Sequence, residues 1–154
     1  DSGFVLGRGT AENFWQLLKA RTGLAGDDDV LSRRLLDGFV LRPWMLELVR
    51  RLRDAGFTTG ILSDQTDWLD ALDARYHFFA DFDRIYNSYY LGRGKRDPAT
   101  FRQVVDDLGL APAAVLFVDD DAGNVERARA AGLCVIQYLD QAGFNAALER
   151  LLSL

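Results

Sequence analysis

Three aspartates in a row, Asp119-Asp120-Asp121, follow the apolar run Val115-Leu116-Phe117-Val118 and lead directly into Ala122-Gly123-Asn124-Val125. Such an apolar run reads as a buried strand, and the residues after it take up a helical pattern. The strand therefore delivers carboxylates to the carboxyl edge of a sheet, where ligands bind in open α/β folds. Adjacent buried carboxylates repel one another, and a hard divalent cation held by oxygens relieves that repulsion. The run is thus a candidate Mg2+ site. Two upstream residues extend the chemistry. Ser63 closes the β-like run Phe57 to Leu62, and Lys95 lies in a Gly-containing loop, one of two lysines beside 16 arginines. A hydroxyl, an ammonium and backbone amides at a helix start are groups that neutralise phosphoryl oxygens.

Each of these residues also has a purely structural reading. Ser63 can cap the helix that follows it, and Lys95 can be a solvated charge. Asp121 suits an N-cap, and Asn124 can be an ordinary first-turn residue. Arg93 and Arg96 read as solvated. Trp15, Trp44 and Trp68 sit among aliphatic residues at helical spacing and read as packing residues, with Trp15 also placed to line a pocket. Cys134, inside a β-like run, reads as an inert core thiol.

Composition removes several alternatives. The chain has 154 residues, 49% hydrophobic and 27% charged, enough for one domain with a real core. Its net charge of −5 argues against a nucleic-acid surface. No apolar run reaches membrane-spanning length, which argues against a membrane partner. His77 is the single histidine, which sets aside Ser-His-Asp triads and multi-His zinc sites. One cysteine suits a reducing, cytoplasmic setting.

The elements that position these groups alternate between strand and helix from residue 43 onward. Pro43 opens a helix that Gly56 ends. Phe57 to Leu62 reads as a strand, Thr66 to Tyr76 as a helix, and Arg84 to Ser88 as a strand. Tyr89 to Asp97 reads as a polar loop. Asp97 caps a helix with Pro98 at its first position and Gly109 at its end. A strand over 114–119, a helix from about Gly123 to Ala131, a strand over 133–138 and a helix over 141–153 complete the pattern. This alternation predicts a parallel, doubly wound sheet, with the loops after each strand along one edge. Residues 1–42 differ. They hold helical stretches at Thr10 to Thr22 and at 30–36 but no strand, and read as a small helical segment set apart from a 43–154 core. The acids Asp27 to Asp29 suit the start of the second of these helices.

Taken in order, Ile61-Leu62-Ser63-Asp64, Gly94-Lys95-Arg96-Asp97-Pro98 and Phe117 to Asn124 resemble the second, third and fourth motifs of the haloacid dehalogenase-like hydrolases. The resemblance covers about residues 4 to 140. It is nearest to the small phosphatases with a helical cap, to which 1–42 corresponds. It implies a Rossmann-like α/β fold and a Mg2+-dependent phosphatase acting on a small phosphorylated metabolite through an aspartyl-phosphate. On this resemblance Ser63 and Lys95 are catalytic, Ser63, Asp64 and Lys95 bind the phosphate, and Asp120, Asp119 and Asn124 serve the metal, with Asn124 orienting Asp120. Two positions depart from the pattern: Asp64 stands where Asn is common, and Arg96 where Pro is common.

The family's first motif, a strand ending in a nucleophilic Asp, has no clear counterpart. Asp1-Ser2-Gly3-Phe4-Val5-Leu6 matches a D-x-G-x-V-L variant, but no strand precedes it. The resemblance places the missing strand between those ending at Ser63 and Asp119. The expectation is therefore a fragment whose nucleophile lies outside this chain. A metal-free 2-haloacid dehalogenase and a non-catalytic binding module of the same fold are the alternatives.

Overall fold

A computed structural model describes residues 2–152. The chain divides into two compact units, Asp1–Gly94 and Lys95–Leu154. Asp1, the D-x-G-x-V-L match, lies outside the described residues.

In the first unit a 3-10 turn, Phe4–Leu6, precedes α1 (Ala11–Thr22), α2 (Asp28–Asp37) and α3 (Pro43–Asp54). Then come β1 (Gly60–Ser63), α4 (Trp68–Tyr76), a 3-10 turn (Phe79–Asp81), β2 (Arg84–Asn87) and the single-turn α5 (Ser88–Leu91). Local chemistry sets the boundaries. Thr10 and Asn13 form a reciprocal capping box at α1, and the Asp27 carboxylate accepts the Asp29 and Val30 amides at α2. Pro43 occupies the first turn of α3.

Strands β1 and β2 pair in parallel, from Gly60 opposite Arg84 to Ser63 opposite Asn87. Helix α4 makes the crossover that a parallel pair requires. Leu69, Leu72 and Phe78 form the buried centre, with Leu36, Leu41, Leu46, Ile61, Phe79, Phe82 and Ile85 packed against it. A second, aromatic cluster joins the N-terminal segment to α4. The Phe4 ring stands edge-on to Trp68 at 5.5 Å and to Tyr89 at 5.9 Å, and Phe14 stands edge-on to Trp68 at 5.7 Å. Trp15 is buried, and its indole N–H donates to Ser32 Oγ at 2.8 Å.

The second unit runs α6 (Pro98–Leu108), a 3-10 turn (Pro112–Ala114), β3 (Leu116–Asp119), α7 (Ala122–Ala130), β4 (Cys134–Gln137) and α8 (Gln141–Leu152). Asp97 caps α6 through the Ala99 amide, and Gly109 ends it in the left-handed region. Strands β3 and β4 pair in parallel, from Leu116 opposite Cys134 to Asp119 opposite Gln137, with α7 as crossover. Phe101 is fully buried, and its ring stands edge-on to Phe117 at 5.2 Å.

The fold is α/β, with parallel strands joined by helical crossovers. Hydrogen-bonded pairing among the described residues gives two two-stranded sheets in place of one continuous sheet. The expected strand over 57–62 begins three residues later. The Thr59 amide bonds the Asp83 carboxylate at 2.8 Å instead of a ladder partner, and Phe57 is exposed. The expected loop at 89–97 begins as helix α5, because the Asn87 side chain caps the Tyr89 amide and Gly92 closes the turn at φ 68°. Among the described residues no helix is long and apolar enough to cross a membrane.

Candidate active site

Lys95 and Asp119 are 24 residues apart, yet Lys95 Nζ donates to Asp119 Oδ2 at 2.7 Å. Their side chains are 12% and 7% exposed, so the pair is largely desolvated. The other oxygen, Asp119 Oδ1, accepts the Asp121 amide at 2.8 Å and Asn124 Nδ2 at 3.2 Å. Burial pushes the Asp119 carboxyl upward. The Lys95 hydrogen bond, the Asp121 amide, the Lys95 charge and Asn124 outweigh it and hold the group below the ordinary carboxylate range.

Sequence and backbone explain this convergence. Asp119 ends β3 opposite Gln137, whose Nε2 donates to the Asp120 carbonyl at 3.2 Å. Asp121 is the N-cap of α7, and its Oδ1 accepts the Asn124 amide at 2.7 Å. That cap sets Asn124 in the first turn, buried, with its side chain turned back toward the strand end. Asn124, expected to orient Asp120, thus donates to Asp119. The acceptor it finds is the carboxylate that Lys95 also holds.

Asp120 is exposed, whereas the Lys95, Asp121 and Asn124 N–H donors go to Asp119. It is an oxygen donor of the kind a hard cation selects. Among the described residues no three His, Cys, Asp or Glu side chains gather into one metal cluster. Mg2+ characteristically takes one or two carboxylates and completes its shell with water and substrate phosphate, so the donor chemistry fits that ion at Asp120. Asp119 fits a supporting acceptor better than a direct ligand, since both its oxygens already receive hydrogen bonds.

Ser63 and Asp64 belong to the first unit. Ser63 ends β1 opposite Asn87 and is half-buried, and Asp64 is exposed. The Asp64 carboxylate lies so close to Gly94 that a Cβ there would stand 2.9 Å from Oδ1, which accounts for glycine before Lys95. Lys95, Asp119, Asp120 and Asn124 belong to the second unit.

Several buried polar residues of the first unit carry no signal in the sequence. Asn87 Nδ2 donates to the Thr66 carbonyl at 2.8 Å, and Ser88 Oγ donates to the Val5 carbonyl at 2.7 Å. Both side chains are buried; Asn87 ties the end of β2 to the segment after β1, and Ser88 ties α5 to the N-terminal turn. Nothing distinguishes this asparagine or this serine from an ordinary strand end in sequence. Asp67 is a second case: its Oδ1 is buried without a hydrogen-bond partner among the described residues. Burial, followed by the charge of Asp70, raises its carboxyl above the ordinary range.

The model of the haloacid dehalogenase-like hydrolases matches residues 5–132. The bifunctional epoxide hydrolase 2 of Rattus norvegicus is 30% identical over 129 residues, 79% of this chain and 23% of its own length. The enolase-phosphatase E1 of Thioalkalivibrio sulfidiphilus is 29% identical over 128 residues, 82% of this chain and 56% of its own length. The chain therefore spans well under two thirds of either relative. Among solved structures, a haloacid dehalogenase family enzyme of Bacteroides thetaiotaomicron, in complex with magnesium and inorganic phosphate, superposes with a TM-score of 0.75 at 20% identity. That superposition covers 88% of this chain and 72% of the other.

Proposed function

Since the chain belongs to the haloacid dehalogenase-like hydrolase family, we propose that it supplies phosphate- and metal-binding residues of a Mg2+-dependent phosphatase for a small phosphorylated metabolite. The carrying observation is the desolvated Lys95–Asp119 pair at the end of β3, with the Asp120 carboxylate exposed beside it. Phosphoryl transfer needs charge neutralised around three equatorial oxygens by groups held in place beforehand. Lys95 carries a positive charge on an ammonium that donates to Asp119, and that ammonium is assigned to a phosphoryl oxygen of the substrate. Ser63 offers a hydroxyl to a second oxygen. Asp64, packed against Gly94, is assigned with them to phosphate binding. Asp120 is the residue to hold Mg2+, and Asp119 and Asn124 support it from the strand end. The cation, when bound, supplies further neutralisation of the phosphoryl group. The covalent intermediate is an aspartyl-phosphate on a nucleophile outside the residues assigned here. The proposed setting is the cytoplasm, which a single free cysteine suits.

Two comparisons support this reading: one relative is named a phosphatase, and one structural neighbour holds magnesium with phosphate. The test uses the complete protein and an aryl phosphate. Phosphate release is expected with Mg2+, is abolished by EDTA and returns on Mg2+ addition. Absence of release at every Mg2+ concentration, or metal-independent chloride release from a 2-chloro acid in its place, overturns the proposal.

A further inference from the structure

The Lys95 loop is held by a side chain to which the proposed reaction gives no part. Arg127, in the second turn of α7, donates from Nε to the Lys95 carbonyl at 2.9 Å and from Nη2 to Asn124 Oδ1 at 2.6 Å. Its Nη2 also lies 3.7 Å from Asp121 Oδ1. With the contacts already described, these bonds close a ring. Arg127 holds the Lys95 backbone, the Lys95 ammonium holds Asp119, Asp119 receives Asn124, and Asn124 receives Arg127.

Two physical features make the ring directional. A guanidinium donates and never accepts, so the Asn124 oxygen must face Arg127. The Asn124 N–H2 group is thereby turned toward Asp119, and the amide cannot flip without losing both bonds. Secondly, the planar fork reaches two acceptors in fixed directions, which a single ammonium on a flexible stem does not. Gly123 makes room for it. A Cβ at that position would stand 3.2 Å from Arg127 Nη1 and 3.3 Å from Nη2, so the guanidinium rests on a bare turn of helix.

We propose that Arg127 is a positioning residue that anchors both ends of Lys95, the backbone directly and the ammonium through Asn124 and Asp119. It acts through these groups and does not touch the substrate. The kinetic part of this inference rests on the phosphatase reading, whereas the anchoring part stands on the contacts alone.

The experiment compares Arg127→Gln, Arg127→Lys and Arg129→Gln in the complete protein. Arg129 serves as control because it pairs with Glu126 on the exposed side of the same helix. Displacing a positioned group commonly lowers turnover by about 10- to 100-fold. That loss is expected in kcat for Arg127→Gln with KM within about twofold, the split that marks interactions made in the transition state. Arg127→Lys recovers little, and Arg129→Gln matches the parent.

A lysine-specific protease gives a readout independent of activity, since Lys19 and Lys95 are the only lysines among residues 1–154 and the fragments cut after each are identified by mass. Freeing the Lys95 carbonyl is expected to speed cleavage after Lys95 by roughly tenfold under native conditions, with the Lys19 cut unchanged. Parent-like cleavage after Lys95 in Arg127→Gln overturns the anchoring whatever the kinetics. Accelerated cleavage with parent kcat and KM overturns the catalytic part, as does an equal loss in Arg129→Gln. An inactive parent overturns the phosphatase reading, a result separate from the cleavage ratio.

Discussion

Replacing Lys95 by Met keeps most of the stem volume and removes the charge. It leaves Asp119, 7% exposed, without its cation. Removing one partner of a fully buried ion pair costs about 3–5 kcal/mol, because the other charge is stranded. Here two donors, the Asp121 amide and Asn124 Nδ2, continue to serve Asp119 Oδ1. The expected cost is therefore lower, about 2–3 kcal/mol. At a urea slope of about 2 kcal/mol/M, this moves the unfolding midpoint down by roughly 1–1.5 M. Asp119→Asn alone costs less, because Lys95 can turn toward water. In the double variant the two losses do not add, and the cycle returns a coupling of about 1.5–2 kcal/mol. Urea unfolding of the four proteins at neutral pH measures all of this. Because the pair is desolvated, 0.5 M salt changes the coupling little. A Lys95→Met midpoint within about 0.2 M of the parent, or a coupling below about 0.5 kcal/mol, refutes the buried-pair argument and returns Lys95 to the class of exposed surface charges.

Three further outcomes follow from the packing and electrostatics. Phe101→Ala empties a fully buried site against Phe117 and lowers stability by about 3–5 kcal/mol, read from the same unfolding curves. Gly7→Ala places a Cβ 2.3 Å from the Tyr89 carbonyl oxygen at φ 66°. It costs about 2 kcal/mol or more, and hydrogen exchange is expected to speed up first around residues 4–10. Asp67→Asn stabilises the protein at neutral pH, since it removes the negative charge of a partly desolvated carboxylate beside Asp70. The Asp67 carboxyl titrates above its unfolded value of about 3.9, so the penalty is absent below that pH and grows as pH rises through the folded value. The gain seen at pH 7 must therefore fade as pH falls toward 4, and a gain constant with pH would contradict the assignment.

The sequence was most legible where one physical rule dominated. Pro at a first turn, Asp at a cap and Gly at a helix end located α3 and α6 closely, because each acts through its own backbone. The apolar run ending in acids located β3, and the motif order groups the Lys95 loop with that strand end, which a hydrogen bond joins. Legibility failed where the deciding partner was distant or lay in a side chain. Asn87 turns the start of an apparent loop into α5, and Asp83 takes the Thr59 amide from the ladder. Arg127 looked like any basic residue on a helix. Its signal was faint: a bare Gly123 one turn before it and Asn124 three residues before it, a spacing that lets one guanidinium span both. Asn124 is expected to orient Asp120 and donates to Asp119, because spacing gives a distance along a helix but not the side on which an amide will find its acceptor.

The way Phe4 is seated bears on how this protein can be edited. Its ring is 2% exposed, and the turn around it is locked by Ser88 onto the Val5 carbonyl and by the tight passage of Gly7 past Tyr89. The residues before α1 are thus a plug in the wall formed by α4 and α5. Trimming to the start of α1 opens a hole lined by Trp68 and Tyr89.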